Sequence, residues 1–148
     1  MGEPKMQLEL DTKVIVLAAG LLLLWALGLG VLKYRQMSTS ADGTAHRYVD
    51  IAHRAALMYS FAALVLAVLA HFSAWPVPVD LTAASVVLLF FVGAIAGYTV
   101  HGIRRDTENQ FVHPVAGTHV FMVALIIGEI GGTAVLVSGF AVGQFRPI

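Results

Sequence analysis

The chain has 148 residues, of which 58% are hydrophobic and only 12% are charged, against roughly 25% charged residues in an average soluble domain. Nine basic residues balance nine acidic ones, and there is no cysteine. This composition excludes a disordered tail, a basic nucleic-acid-binding surface, disulfide bonds and cysteine-based metal sites. The length predicts one domain, residues 1–148, and the composition predicts an integral membrane protein in a lipid bilayer.

Four apolar blocks are each long enough to cross a bilayer, which takes about 20 residues. In chain order they predict transmembrane helices over about 14–32, 52–74, 81–101 and 115–142. The blocks are continuous rather than alternating, which favours helices over a membrane β-barrel. The polar links are short, so successive helices are expected to run antiparallel. The predicted fold is therefore an all-α, integral membrane four-helix up-down bundle.

Two local patterns give further structural predictions. Pro76 and Pro78 lie in the link after the second apolar block and predict the end of that helix, and Asp80 is expected to cap the third. Asp50 and Arg54 are four residues apart, which predicts an ion pair on the surface of the second helix.

The basic residues are unevenly divided between the two ends of the predicted bundle. Six lie on the side shared by the first and third links, and three lie on the other side. By the positive-inside rule, this predicts that both termini lie outside the cytoplasm. The membrane is expected to be a bacterial inner membrane. The first group is Lys33, Arg35, Arg47, Arg54, Arg104 and Arg105, and the second is Lys5, Lys13 and Arg146.

Glu129 lies near the middle of the fourth apolar block. A charge at that depth costs roughly 2.5–3.5 kcal/mol, so such a side chain usually faces the bundle interior and has a partner. It is a candidate proton carrier, acid catalyst or cation ligand, and the alternative is a carboxyl group that hydrogen-bonds a neighbouring helix. Tyr59, on the second helix, is the second candidate for proton transfer.

Glycines spaced four residues apart recur in the third and fourth blocks. Such pairs make a smooth helix face that another helix can approach closely. They predict close packing of the third helix with the fourth, and the alternatives are association with partner membrane subunits or another copy, or space for a flat ligand. The pairs are Gly93 and Gly97, Gly128 and Gly132, and Gly139 and Gly143.

Five of the six histidines lie at or near the ends of helices on the predicted cytoplasmic side: His46, His53, His101, His113 and His119. His53, His101 and His119 belong to three different helices at a similar predicted depth. Neutral imidazoles on separate helices are what a membrane haem requires, and an ordinary interfacial role is the alternative. No local spacing predicts a metal-ion site.

The size, the four-helix layout and His53 in Ala52-His53-Arg54 resemble the small membrane isomerases that include hydroxylaminobenzene mutase and styrene oxide isomerase. In the styrene oxide isomerase group the equivalent histidine ligates haem b. The resemblance therefore implies haem b as a cofactor and His53 as its ligand. The Asn-Gly pair that follows in the family is replaced here by Met58-Tyr59.

Three functional hypotheses follow. The first is a small polytopic membrane protein that acts by helix association, as an accessory or anchor subunit or as a homo-oligomeric bundle; the glycine pairs and the lack of a dense catalytic motif favour it. The second is a haem-b-binding membrane isomerase that uses an interfacial histidine. The third is a proton-coupled carrier that uses Glu129.

Overall fold

The computed structural model describes residues 7–112, 114 and 116–146, and this part of the chain contains no β-strand. Four helices follow one another: α1 (Leu10–Thr39), α2 (Arg47–His71), α3 (Val77–Arg104) and α4 (Thr118–Phe145). Each is long and apolar enough to cross a membrane. The prediction of an all-α membrane bundle with four helices is confirmed.

The helices extend beyond the apolar blocks that predict them. α1 has 30 residues, which makes it about 45 Å long and longer than the roughly 30 Å hydrocarbon core of a bilayer. Lys5, His113 and Val115 enter the predictions above but lie outside the described residues. The six basic residues of the first and third links all lie near one end of the bundle, and the orientation of that end stays a prediction.

The residue that caps the N-terminus of α3 differs from the one predicted. Its N-cap is Pro76, and Pro78 lies in the first turn, where the fixed φ of proline suits the start of a helix. The prediction that Asp80 caps the helix is wrong. Asp80 lies within the first turn, is buried, and accepts a hydrogen bond from the Ser73 hydroxyl at 3.1 Å.

The most extensive interface in the bundle joins α1 to α2, rather than α3 to α4 as the glycine pairs predict. Alanines are common among the buried residues of both helices, and such small side chains let two helix backbones approach closely. Ala26, Ala52, Ala56 and Ala63 are completely buried there. The glycines of α3 and α4, in contrast, bring their two helices together over only part of their length.

α4 lies on one side of the other three helices. It contacts α3 and α2, and within the described residues it makes no contact with α1. Only Gly132, Leu136 and Gly139 of its 28 residues are buried. The core is therefore formed mainly by α1, α2 and α3, and most of α4 faces outward.

The C-terminal half of α4 is tied to the link between α2 and α3 by backbone and side-chain hydrogen bonds. The Ala74 N–H donates to the Gly139 carbonyl (3.0 Å), the Trp75 indole N–H to the Val135 carbonyl (3.1 Å), and the Gln144 side-chain amide to the Phe72 carbonyl (3.1 Å). These bonds fix one end of α4 to the bundle.

Candidate functional site

Glu129 lies half-buried at the edge of an open cleft of about 460 Å³. Phe91 of α3 forms one side of this cleft, and Ile130, Thr133 and Val137 of α4 form the other. The Oε1 atom of Glu129 is buried and has no hydrogen-bond partner among the described residues. We call this space the Glu129 cleft.

Two tyrosines lie near the Glu129 cleft. The ring of Tyr59 stacks on Phe91 with a centroid distance of 4.0 Å and an interplanar angle of 3°. Phe91 in turn lines the cleft together with Glu129, and Tyr98 lies seven residues after Phe91 on the same helix. The structure thus brings the two residues proposed for proton transfer, Glu129 and Tyr59, into one region, and their chemical role stays a prediction.

The unpartnered Glu129 oxygen is unusual for a membrane helix. Buried polar groups in proteins almost always have a hydrogen-bond partner, and the hydrocarbon core holds no water that could supply one. The described part of the chain offers none to Oε1. Oε1 of Glu129 is therefore a buried acceptor whose hydrogen bond the described residues do not supply.

The paired glycines of α4 lie in close contact with other parts of the same chain, namely α3 and the link between α2 and α3. A Cβ atom at Gly132 would lie 2.7 Å from the Ala83 carbonyl oxygen, and one at Gly128 would overlap the ring of Phe90. Gly139 and Gly143 meet the α2–α3 link in the same way. Another helix could pack against these four glycines only by displacing the contacts that they already make within the chain. Association through them stays a prediction, as it does for Gly93 and Gly97.

His53 is held against α1. Its Nδ1 atom lies 2.9 Å from the Ala26 carbonyl oxygen, and its ring passes over Gly30. A carbonyl oxygen only accepts hydrogen bonds, so Nδ1 carries the proton and Nε2 of the neutral ring keeps its lone pair. Metal-binding histidines commonly show this arrangement, in which the second ring nitrogen is fixed by a backbone carbonyl.

The other two candidate haem ligands lie in different surroundings. His101 Nδ1 is 2.8 Å from a carboxylate oxygen of Asp106, and this hydrogen bond holds the pKa of Asp106 below its ordinary value. His119 is exposed, with its ring 6.4 Å from that of Phe111. The described residues contain no group of three histidine or acidic side chains that could hold a metal ion.

A polar junction joins three helices at the same end of the bundle as these histidines. The buried Tyr48 hydroxyl accepts a hydrogen bond from the backbone N–H of Gln110 at 2.7 Å. The Gln36 side chain donates to the Gly102 carbonyl (3.3 Å) and accepts from the His46 N–H (2.9 Å). Sequence reasoning missed this junction because its partners are up to 66 residues apart and no local spacing marks them.

The predicted ion pair on α2 is confirmed. Arg54 lies 2.9 Å from Asp50, and Lys33 of α1 lies 2.6 Å from the other oxygen of the same carboxylate. These contacts join α1 to α2 near the polar junction.

No protein family model, curated protein or solved structure matches this chain. The likeness to the small membrane isomerases therefore rests on the four-helix layout and on His53. Haem b, with His53, His101 or His119 as a ligand, stays a prediction.

Proposed function

We propose that this multi-pass membrane protein acts by helix association and that a second copy of the chain covers the Glu129 cleft. The observation that carries the proposal is the buried, unpartnered Oε1 atom of Glu129 beside an open cleft. Rotation of the carboxyl group toward the open cleft would let a polar partner on a second helix bind Oε1, which the described part of the chain leaves without a hydrogen bond.

A second copy of the chain has suitable chemistry at the right depth. Two copies inserted in the same orientation place their Glu129 and Thr133 side chains at equal depths. The neutral form of a carboxyl group both donates and accepts hydrogen bonds, as does a hydroxyl group, so the surface is complementary to itself. A two-fold axis along the membrane normal would bring the same residues of both copies together. Hydrogen bonds between membrane helices contribute about 0.6–2 kcal/mol each.

The absence of cysteine makes this interface directly testable. Thr133 and Gly131 lie on opposite edges of α4, about 200° apart around the helix axis. Thr133 lines the Glu129 cleft, whereas a Cβ atom at Gly131 would meet nothing within 4 Å. In membranes oxidised with copper phenanthroline, Thr133→Cys is expected to form a disulfide-linked dimer severalfold faster than Gly131→Cys.

Two outcomes would contradict a second copy in the cleft. One is equal cross-linking of Thr133→Cys and Gly131→Cys. The other is a chain that purifies in mild detergent with a larger membrane protein and forms no cross-linked homodimer. The second outcome would instead support the role of an accessory or anchor subunit.

We propose haem ligation by His53 as the second candidate function. The geometry that favours it is the Nδ1 contact with the Ala26 carbonyl, which leaves Nε2 available as a ligand atom. His53 would hold the iron of haem b through Nε2, and the iron would supply the reactive centre of a membrane isomerase.

The haem proposal predicts a coloured protein. Purified in mild detergent, it is expected to show a Soret band at about 400–430 nm that shifts on reduction with dithionite. His53→Ala is expected to remove the band, and His71→Ala, a change of a histidine at the opposite end of the same helix, is the matched control. A protein supplied with haem during expression that shows no visible absorption would contradict the proposal.

A further inference from the structure

A polar cavity of about 410 Å³ lies at the end of the bundle where the basic residues of the first and third links are found. The link between α1 and α2 lines one side of it, and the link that follows α3 lines the other. Arg47 and Arg105 are its basic residues, so we call it the Arg47–Arg105 cavity. Because α1 is longer than the hydrocarbon core is thick, its end reaches the level of the lipid headgroups, where this cavity lies.

The two arginines of the cavity have unused hydrogen-bond donors. Neither guanidinium group makes an ion pair with any residue that the structure describes, whereas Arg54 is paired with Asp50. Arg47 is the first residue of α2, and the start of a helix also favours an anion. Arg105 is the C-cap of α3, held by a hydrogen bond from its N–H to the His101 carbonyl at 2.8 Å. Guanidinium groups with free donors are well suited to the oxygens of a phosphate.

Two carboxylates, those of Asp42 and Glu108, line the same cavity. Asp42 accepts hydrogen bonds from the Thr44 hydroxyl (2.8 Å) and N–H (3.1 Å), which hold the pKa of Asp42 below its ordinary value. Glu108 lies 3.2 Å from Nε2 of His46, whose Nδ1 accepts the Tyr48 N–H, so the proton of the neutral ring is on Nε2. An ionised carboxylate can accept about four hydrogen bonds, so both groups can still bind a cation.

The charges of the described lining balance, because two guanidinium cations face the same space as two carboxylates. A ligand with only negative charge would be attracted by the arginines and repelled by the carboxylates. A ligand that carries both charges matches both pairs. Its cation is expected to be a primary ammonium, which donates three hydrogen bonds to carboxylates. A trimethylammonium group donates none and is bound by aromatic rings, and the described lining contains no Phe, Tyr or Trp.

We propose that the Arg47–Arg105 cavity binds a phosphoethanolamine group. The phosphate would lie against Arg47 and Arg105, and the ammonium would reach Asp42 and Glu108. The group can be the headgroup of a membrane phospholipid or a soluble phosphate ester. The volume lies within the range of about 300–1,000 Å³ that is usual for small-molecule sites. The cavity shares no lining residue with the Glu129 cleft, so this proposal does not depend on association of two copies.

The test is native mass spectrometry of the full chain, purified in mild detergent and titrated with one lipid at a time. The lipids are dioleoyl phosphatidylethanolamine, phosphatidylglycerol and phosphatidylcholine. The wild-type chain is expected to bind the first lipid severalfold more tightly than the other two. Arg47→Gln and Arg105→Gln are each expected to weaken binding of phosphatidylethanolamine about tenfold, because each removes charged donors to the phosphate. Both residues are exposed, so the bundle is expected to fold in both variants.

The matched control is Arg35→Gln. Arg35 is an exposed arginine of α1 at the same end of the bundle and does not line the cavity, so its variant is expected to bind lipid as the wild type does. Asp42→Asn tests the ammonium half of the site. Asparagine keeps an oxygen that accepts the Thr44 N–H and loses only the negative charge. This variant is expected to bind phosphatidylethanolamine more weakly and phosphatidylglycerol more tightly than the wild type.

Soluble phosphoethanolamine distinguishes the two sources of the group. If it displaces phosphatidylethanolamine at a similar concentration, the soluble ester is a sufficient ligand. If it displaces the lipid only in large excess, the acyl chains contribute and the ligand is the phospholipid. Equal affinity of the wild-type chain for all three lipids would overturn the proposal. So would binding of phosphatidylethanolamine by Arg47→Gln and Arg105→Gln that equals binding by Arg35→Gln.

Discussion

Replacing Gly132 by leucine is expected to separate α4 from α3, whereas the same change at Gly131 is expected to leave the bundle intact. A Cβ atom at Gly132 would lie 2.7 Å from the Ala83 carbonyl oxygen and 2.6 Å from Val87. The first of these neighbours is backbone, which cannot move aside without shifting α3. Overpacking at such a contact costs about 1–3 kcal/mol or more.

The measurement for this prediction is thermal unfolding in detergent, combined with limited proteolysis of the link between α3 and α4. Gly132→Leu is expected to melt at a lower temperature and to be cleaved faster in that link. Gly131→Leu is the control because it lies one residue away and its added side chain would meet nothing within 4 Å. Equal melting temperatures of the two variants would show that α4 does not pack on α3 through Gly132.

Replacing Glu129 by leucine is expected to weaken dimer formation, whereas glutamine at the same position is expected to preserve most of it. Leucine removes both the donor and the acceptor from the Glu129 cleft, while the amide of glutamine keeps one of each kind. The loss of one or two hydrogen bonds between helices, about 1–2 kcal/mol, corresponds to a roughly 5- to 30-fold weaker dimer.

The same pair of variants separates association from proton transfer. Glutamine cannot release a proton at neutral pH, so a proton-coupled carrier would lose pH-dependent flux in Glu129→Gln even if its dimer persisted. If flux in proteoliposomes is found in the wild type and disappears in Glu129→Gln, Glu129 carries protons in addition to its structural role.

The number of helices and their antiparallel order could be predicted from the sequence because they depend on local properties. A continuous apolar block that spans a bilayer forms a helix because its backbone groups find no water and must hydrogen-bond within the segment. Short links make neighbouring helices run in opposite directions. The ion pair of Asp50 with Arg54 was predictable for the same reason, since a helix turn places residues four apart side by side.

The sequence could not predict whether a glycine pair packs against another helix or borders open space, because that depends on contacts between distant parts of the chain. Gly93 and Gly97 have the same spacing as Gly128 and Gly132, yet an added Cβ atom at Gly97 would meet nothing within 4 Å, whereas one at Gly128 would overlap Phe90. Hydrogen bonds to the α2–α3 link hold the C-terminal half of α4, where Gly132 packs against α3. No spacing in the sequence indicates these bonds.

The candidate site was predictable only in part. The position of Glu129 in an apolar block marked it as important, but its unpartnered oxygen became visible only in the folded chain. The contact of His53 with the Ala26 carbonyl, which decides which ring nitrogen is available, likewise joins two helices and has no local signal.

The central claim is that the Glu129 cleft is an interface between two copies of the chain. The most direct test is single-molecule photobleaching of fluorescently labelled protein in lipid bilayers over a range of protein densities. We expect a density-dependent dimer for the wild type and for Glu129→Gln, and a dimer about 5- to 30-fold weaker for Glu129→Leu. A wild-type chain that stays monomeric at all densities, or equal dimerisation of all three proteins, would contradict the claim.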